Sequence, residues 1–421
     1  MLDTGYIREN PDKVKEGAKN KGVDVDVAKV LDLDERYREV LQSVESLRAQ
    51  KNEVSQKISQ NTDSKEKEKA IKEAEGIKKE LKKQEGILKE VKYELDELLL
   101  LIPNMPFDDV PVGKDDTENV VARKEGNLPE FDFEPKSYLE IAEQHDLIDI
   151  ERAAKISGTR FGYLKNEAAL LEFALVRLAL DMLSKEGFTP IIPPVLVRPE
   201  FMEKLGYLAQ GEEDEIYHVK KDDMFLVGTS EQSVVPYFAN ETLAEDELPK
   251  RFVAFSSCFR REAGSYGKDT KGILRVHQFD KVEMVSFAHP DKSREEHKFL
   301  LSLQEKLTQA LGLPYQVIDI CTGDTGFPMA QKFDIETWIP SEQKYRETHS
   351  TSNATDFQAR RLNTRYKTKD GASTEFVHIL NGTAYAIGRI LIALLENHQQ
   401  ADGSVHIPKA LQKYVGFDKI G

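Results

Sequence analysis

Residues 252–284 read FVAFSSCFRREAGSYGKDTKGILRVHQFDKVEM, and the fold turns on how that stretch is taken. Two runs rich in strand-forming side chains, 252–259 and 274–284, flank a glycine-bearing segment at 262–272 that carries Lys268 and Lys271, the pattern of an antiparallel hairpin with a long loop. Side chains alternate along a strand, so Arg260 and Glu262 are expected on one face of the first run, with Val253, Phe255 and Phe259 on the other. On the second run Arg275, His277, Phe279, Lys281 and Glu283 share a face, and Leu274, Val276, Val282 and Met284 fall opposite. Guanidinium forks suit phosphate oxygens, a phenyl ring suits a base, and carboxylates accept from amines and hydroxyls. Such a face fits a nucleotide; taken alone, the alternation equally fits an amphipathic hairpin whose charged side meets water.

Downstream lie two further clusters, 345–353 and 378–383, the second running into the apolar stretch 384–396. There Asn381-Gly382 suits a turn and Thr383 a helix cap, and Gly388 in the helix permits close packing on a sheet. Glu347 and Ser350 offer oxygen to a hard cation, although Glu-x-x-Ser by itself is a weak signal. No GxGxxG occurs, and closely spaced, alternating runs favour a mainly antiparallel sheet covered by helices over a doubly wound parallel one.

Upstream the periodicity changes. Tyr37, Val40, Val44, Leu47, Lys51, Val54 and Ile58 recur at steps of three and four, as do Ala70, Ala74, Ile77, Leu81, Gln84, Leu88, Val91, Leu95, Leu98 and Ile102. A polar break at 60–64, with Thr62 to Ser64 able to cap, predicts two long helices folded back antiparallel as an arm about 50 Å long. Read without context, such a hairpin is a dimerisation zipper or a spacer. The fold class expected is therefore α+β: a helical arm within 1–102, a proline-rich linker at 103–135, and a domain with a helix-flanked antiparallel sheet at 136–421. The apolar residues on nearly every face of 164–183 predict a helix buried all round.

Composition narrows the partners. A net charge of −15 over 421 residues argues against general polyanion binding, yet residues 36–92 hold 15 Lys/Arg against 11 Asp/Glu. Any nucleic-acid contact should concentrate there. The longest apolar run, 390–395, is far below the ~20 residues of a membrane span, and Asp3, Arg8 and Glu9 interrupt any signal-peptide pattern. A cytoplasmic address is expected, with Cys258 and Cys321 as reduced thiols.

Phe259-Arg260-Arg261-Glu262, through the loop to Lys281-Val282-Glu283, resembles motif 2 of class II aminoacyl-tRNA synthetases. Gly388-Arg389 resembles motif 3, and Gly187 to Pro194 is similar to motif 1. Gly228-Thr229-Ser230-Glu231-Gln232, the stretch 356–361 (DFQARR) and the helical hairpin narrow the likeness to seryl-tRNA synthetases of the ordinary bacterial type, across essentially the whole chain. The resemblance implies that serine is activated by ATP to seryl-adenylate and passed to the terminal adenosine of serine tRNA, and of selenocysteine tRNA where one exists. It implies catalytic roles for Arg260, Arg275 and Arg389, and ATP binding by Arg260, Arg261, Glu262, Arg275, Phe279, Glu347, Thr348, His349, Ser350 and Arg389. Serine would contact Thr229, Ser230, Glu231, Glu283, Asn381 and Thr383. Magnesium would sit on Glu347 and Ser350, with no zinc; tRNA would meet the arm and the motif 2 loop; and the enzyme would be a homodimer that does not touch membranes. Arg261, Thr348-His349 and Thr383 depart from the residues usual at those motif positions. A ligase that loads a carrier protein would share the catalytic motifs but lack the basic arm, and a coiled-coil scaffold would not need Arg260, Glu283 and Arg389.

Overall fold

The computed structural model describes residues 1–60, 63–208, 212–263 and 271–421. Thr62 and most of the motif 2 loop, 264–270, lie outside them. The chain divides into two compact units, Met1–Pro103 and Asn104–Gly421.

In the first unit, helices α1 (Val27–Gln60) and α2 (Ser64–Leu100) pack along each other. Val44, Val54, Leu81, Val91 and Leu95 are buried along the seam, as the heptad spacing requires, while Lys51 stays exposed. Near the end of α2 the buried position shifts from the expected Leu98 to Leu99. Asp63, within the stretch expected to cap, accepts from the Lys65 N–H at 2.9 Å. An ion pair of 2.8 Å between Arg48 and Glu85 ties the helices across the seam.

The second unit is built on eight strands: β1 (Val120–Glu125), β2 (Thr189–Ile191), β3 (Lys250–Phe259), β4 (Gln278–Ala288), β5 (Tyr315–Asp319), β6 (Gln331–Ile339), β7 (Lys344–Asn353) and β8 (His378–Ala386). They run in the order β1-β5-β6-β7-β8-β4-β3-β2, antiparallel except for β2 on β3. Hence the proline-rich segment expected as a linker instead belongs to this unit: Asn104 is buried, its side chain donating to the carbonyls of Pro328 and Ala354, and β1 pairs with β5. That strand is exposed along its whole length, so its sequence shows no apolar face.

Helices α3 (Asn166–Lys185), α4 (Ser293–Ala310) and α5 (Ile387–Asn397) contribute to one large core, which takes Val253 of β3 and Val282 and Met284 of β4. The alternate row of β4 faces the other way. Along it Val285 and Phe287 enter a second apolar cluster with Phe252 and Ala254, and the preceding Phe279, Lys281 and Glu283 line a cavity. One row of one strand thus passes from core to site within a few residues.

Two expectations change. α3 is not buried all round: Leu170 and Phe173, three apart and so on one stripe, are 52% and 68% exposed. Asn381-Gly382-Thr383 is no turn and cap, since all three lie inside β8 and Ala386 precedes α5. Gly382 is needed for a close approach, as a Cβ there would stand 3.0 Å from Oγ1 of Thr351 on β7. Both cysteines are free and buried.

Candidate active site

The hairpin register is regular from Gln278 opposite Phe259 to Phe287 opposite Lys250, so β3 and β4 form one rigid floor. Above it opens a cavity of about 680 Å³. Its walls include Thr229, Glu231, Arg260, Glu262, Arg275, Phe279, Glu283, Glu347, Thr348, Ser350, Asn381, Thr383 and Arg389, most of the residues that the sequence singled out.

Strand parity alone would not gather them. Glu347 and Ser350 are three apart and would point to opposite faces of a regular strand. Between β6 and β7 the register slips, with Ile335 opposite His349 but Glu336 opposite Glu347, so Thr348 is an extra residue. That bulge returns Ser350 to the face of Glu347. On β8 the same device acts at Ala384, because Val282 pairs with Tyr385 and Glu283 with Thr383. Thr383 and Ala386 then both reach the cavity. Gln304 of α4 fastens the two bulged strands, its amide nitrogen donating to the carbonyls of Ser350 and Thr383, each at 2.8 Å.

Charges at one end are paired but partly open to solvent. Glu262, at a left-handed φ of 52°, meets Arg275 at 2.6 Å. Arg260 donates to the Gly228 carbonyl at 3.2 Å, with its guanidinium carbon 5.3 Å from the centre of the Phe279 ring. Arg389, in the first turn of α5, reaches both the carbonyl and the carboxylate of Glu347 at 3.0 and 3.2 Å. Gly388 lets this helix start close to the chain: a Cβ would sit 3.3 Å from the Ile273 carbonyl. Burial alone would raise Glu347, but the combined field of Arg389, Lys332 and Arg260 prevails and holds it down to about 2.

The other end is buried. Glu231 accepts from Tyr207 Oη at 2.8 Å and from Gln358 Nε2 at 3.3 Å. Burial, then the nearby Glu283 charge, pushes its carboxyl above the ordinary range. Glu283 accepts from Thr383 Oγ1 at 3.1 Å and pairs with Lys281 at 2.5 Å. Asn381 is buried on the same wall, and its Nδ2 has no hydrogen-bond partner among the described residues.

Several expected residues lie off the cavity wall. Ser230 is fully buried as the residue before the short helix Glu231–Val234. Arg261 is exposed past the end of β3, with its guanidinium carbon 5.6 Å from the Tyr217 ring centre. His349 follows the bulge and so turns into the core, 1% exposed, where burial drives its imidazole down to about 3. His277 also leaves the row, since β4 begins only at Gln278; its Nδ1 lies 3.0 Å from the Arg260 carbonyl. Leu274 and Val276, expected to point elsewhere, line the cavity for the same reason. Sequence reasoning missed Lys332, Tyr207 and the segment from Thr325 to Met329, and it gave Lys281 and Gln358 no task. Lys281 and Gln358 carried a signal, standing within the quoted Lys281-Val282-Glu283 motif and the 356–361 stretch.

A long helical hairpin in one unit and, in the other, an antiparallel sheet with these motifs in order invite comparison with known proteins. Residues 1–106 match the seryl-tRNA synthetase N-terminal domain, and residues 215–398 match the tRNA synthetase class II core domain (G, H, P, S and T). The serine–tRNA ligase of Thermobifida fusca is 46% identical over 100% of this chain and 99% of its own. The chain belongs to the seryl-tRNA synthetase family. The serine–tRNA ligase of Caldicellulosiruptor bescii is 47% identical with full coverage of both chains. The crystal structure of seryl-tRNA synthetase from Pyrococcus horikoshii, complexed with ATP, superposes with a TM-score of 0.90 at 40% identity, covering 100% of this chain and 99% of the other. As a seryl-tRNA synthetase the chain is a class II aminoacyl-tRNA ligase that uses ATP to join serine to tRNA. Among the described residues no helix is long and apolar enough to cross a membrane.

Proposed function

We propose that the cavity binds ATP and L-serine end to end and divides the reaction between its exposed and buried walls. The supporting observation is that nucleotide-type groups and two buried carboxylates converge on one space large enough for both substrates. Arg260 would hold the α-phosphate, Glu262 the adenine amino group, Phe279 and Arg389 the two faces of the ring, and Arg275 the terminal phosphates. Thr229 and Glu231 would take the serine ammonium, Glu283 and Thr383 its hydroxyl, with Asn381 beside them.

The carboxylate of serine then attacks the α-phosphorus in line, the bond to the bridging oxygen breaks, and pyrophosphate leaves. The protein supplies no covalent nucleophile. Its contribution is alignment, together with cations placed where negative charge gathers. In the second step a ribose hydroxyl of the terminal adenosine attacks the acyl carbon and AMP departs.

Glu347 and Ser350 present oxygen alone, and Asp334, opposite Ser350, holds a buried Oδ1 without a hydrogen-bond partner among the described residues. This donor set fits magnesium, which when bound would neutralise phosphate oxygens. The basic balance of residues 36–92 supports the arm as the tRNA-binding element, recognising backbone and shape. We assign the motif 2 loop to the acceptor end, the exposed Leu170 and Phe173 to a second copy in a homodimer, and the whole to the cytoplasm, where ATP and tRNA meet.

Serine-dependent exchange of pyrophosphate into ATP, followed by charging of total tRNA, tests the reading. A chain lacking residues 31–100 should retain exchange and lose tRNA charging. Full charging by that variant would remove the arm from the mechanism, and exchange with no amino acid would remove the assignment itself.

A further inference from the structure

Lys281 has no part in the assignments above, yet it is among the least accessible cations of the molecule, its side chain 8% exposed. It stands two residues before Glu283 on the cavity row of β4, and its Nζ lies 2.5 Å from Glu283 Oε2. Thr383 donates to that same oxygen at 3.1 Å. Two donors therefore meet on one oxygen of a carboxylate that is itself 3% exposed, and Oε1 has no hydrogen-bond partner among the described residues.

We propose that Lys281 is a specificity-determining positioning residue, which pins one oxygen of Glu283 so that the other is presented to the substrate hydroxyl. The inference rests on the reading of this end of the cavity as the serine site.

Charge counting supports it. Glu231 and Glu283 are both buried, and two anions side by side without a counter-ion would force one to take up a proton. With Lys281 paired to Glu283, these three groups carry one net negative charge, which matches the single positive charge of an amino-acid ammonium. The field of Lys281 reaches Glu231 as well, opposing the upward push of burial and of Glu283. Every charged or titratable group recorded around Glu231 enters this balance: Glu283 and Lys281 from β4, and Tyr207 after the helix Pro199–Leu205; Gln358 from the helix Phe357–Leu362 adds a neutral donor. A second reason concerns direction. A carboxylate free to rotate offers either oxygen to the cavity, whereas one held by an ammonium and a hydroxyl offers only Oε1.

The experiment compares Lys281→Met and Lys281→Gln with the unaltered full-length chain in serine- and alanine-dependent pyrophosphate exchange. The expected result is a rise in serine KM of about 10²-fold, with ATP KM within about threefold. The preference for serine over alanine should fall from the order of 10⁴ to about 10². Serine KM in the variants should also improve with rising pH, because a carboxylate that has lost its counter-ion must ionise before it can hold an ammonium. A residue that only fills space would alter neither the amino-acid preference nor the pH profile. Lys281→Gln, nearly isosteric, supplies the measurement if the methionine variant does not fold. Serine KM and preference unchanged in either folded variant would overturn the proposal, whereas absence of serine-dependent exchange in the unaltered chain would overturn the site assignment on which it rests.

Discussion

The two ends of the cavity solve opposite problems with the same side-chain chemistry. At the proposed nucleotide end Glu262, Arg275, Glu347 and Arg389 are paired, 11% to 49% of each side chain remaining exposed. At the proposed serine end the side chains of Glu283 and Lys281 are 3% and 8% exposed, Glu231 is buried, and the carboxylates are held by Tyr207, Gln358 and Thr383. Exposed pairs exchange partners cheaply, so a highly charged substrate can displace them. Buried pairs exchange at high cost, so a substrate lacking one hydroxyl leaves a desolvated acceptor unmatched. On the proposed assignment, affinity for a common nucleotide and selectivity for one small amino acid would follow from different degrees of burial.

The contrast is sharpest in substrate choice. Alanine, which lacks the hydroxyl that Glu283 and Thr383 are proposed to hold, should be activated on the order of 10⁴ times less efficiently than serine. Near-equal pyrophosphate exchange with the two amino acids would break the comparison at its buried end. Next in size is Arg260→Ala, which removes a cation from the wall next to Phe279 and should lower the exchange rate by about 10³-fold with serine KM little moved. A loss expressed entirely in serine KM would mean that the two ends are not separate.

Much of this was legible in advance. The seam residues Val44, Val54, Leu81, Val91 and Leu95 show because an antiparallel pair of helices has a single repeating rule. The row Phe279, Lys281, Glu283 shows because β4 is regular from Gln278 onward. What stayed hidden departs from a repeat: the bulges at Thr348 and Ala384, the late start of β4 that releases His277, and the edge strand β1 with no buried side. Ser230, Arg261 and His349 enter through the resemblance, whose motifs are contiguous stretches, whereas the backbone turns these three side chains off the cavity wall. Leu170 and Phe173 illustrate a different limit: periodicity states that a side chain wants cover but not which chain provides it.

Acidity offers a gentler probe. Glu231 is held above the ordinary carboxyl range, so it gains a proton earlier as pH falls, and only its ionised form can pair with an ammonium. Serine KM should therefore rise about threefold or more between about pH 8 and pH 5.5. ATP KM should stay within about twofold over the same interval, because Glu347 is held down to about 2 and keeps its charge throughout. Equal drift in both constants would erase the distinction between the ends. The smallest effect belongs to the arm, where Arg48 and Glu85 are 58% and 43% exposed. Arg48→Ala should cost no more than about 0.5 kcal/mol in thermal or denaturant unfolding, since an exposed pair is largely screened.

The extra residue in β7 has a consequence for how such sites change over time. Every residue of β7 can be retained while the slip in pairing at Thr348 is lost and the strand pairs regularly. Ser350 would then stand across the sheet from Glu347, with each residue type intact and the cation cradle gone. A spacing of three between the two oxygen donors therefore works only with the bulge, and a descendant that lost Thr348 would keep both donors on one face only by losing the bulge with it.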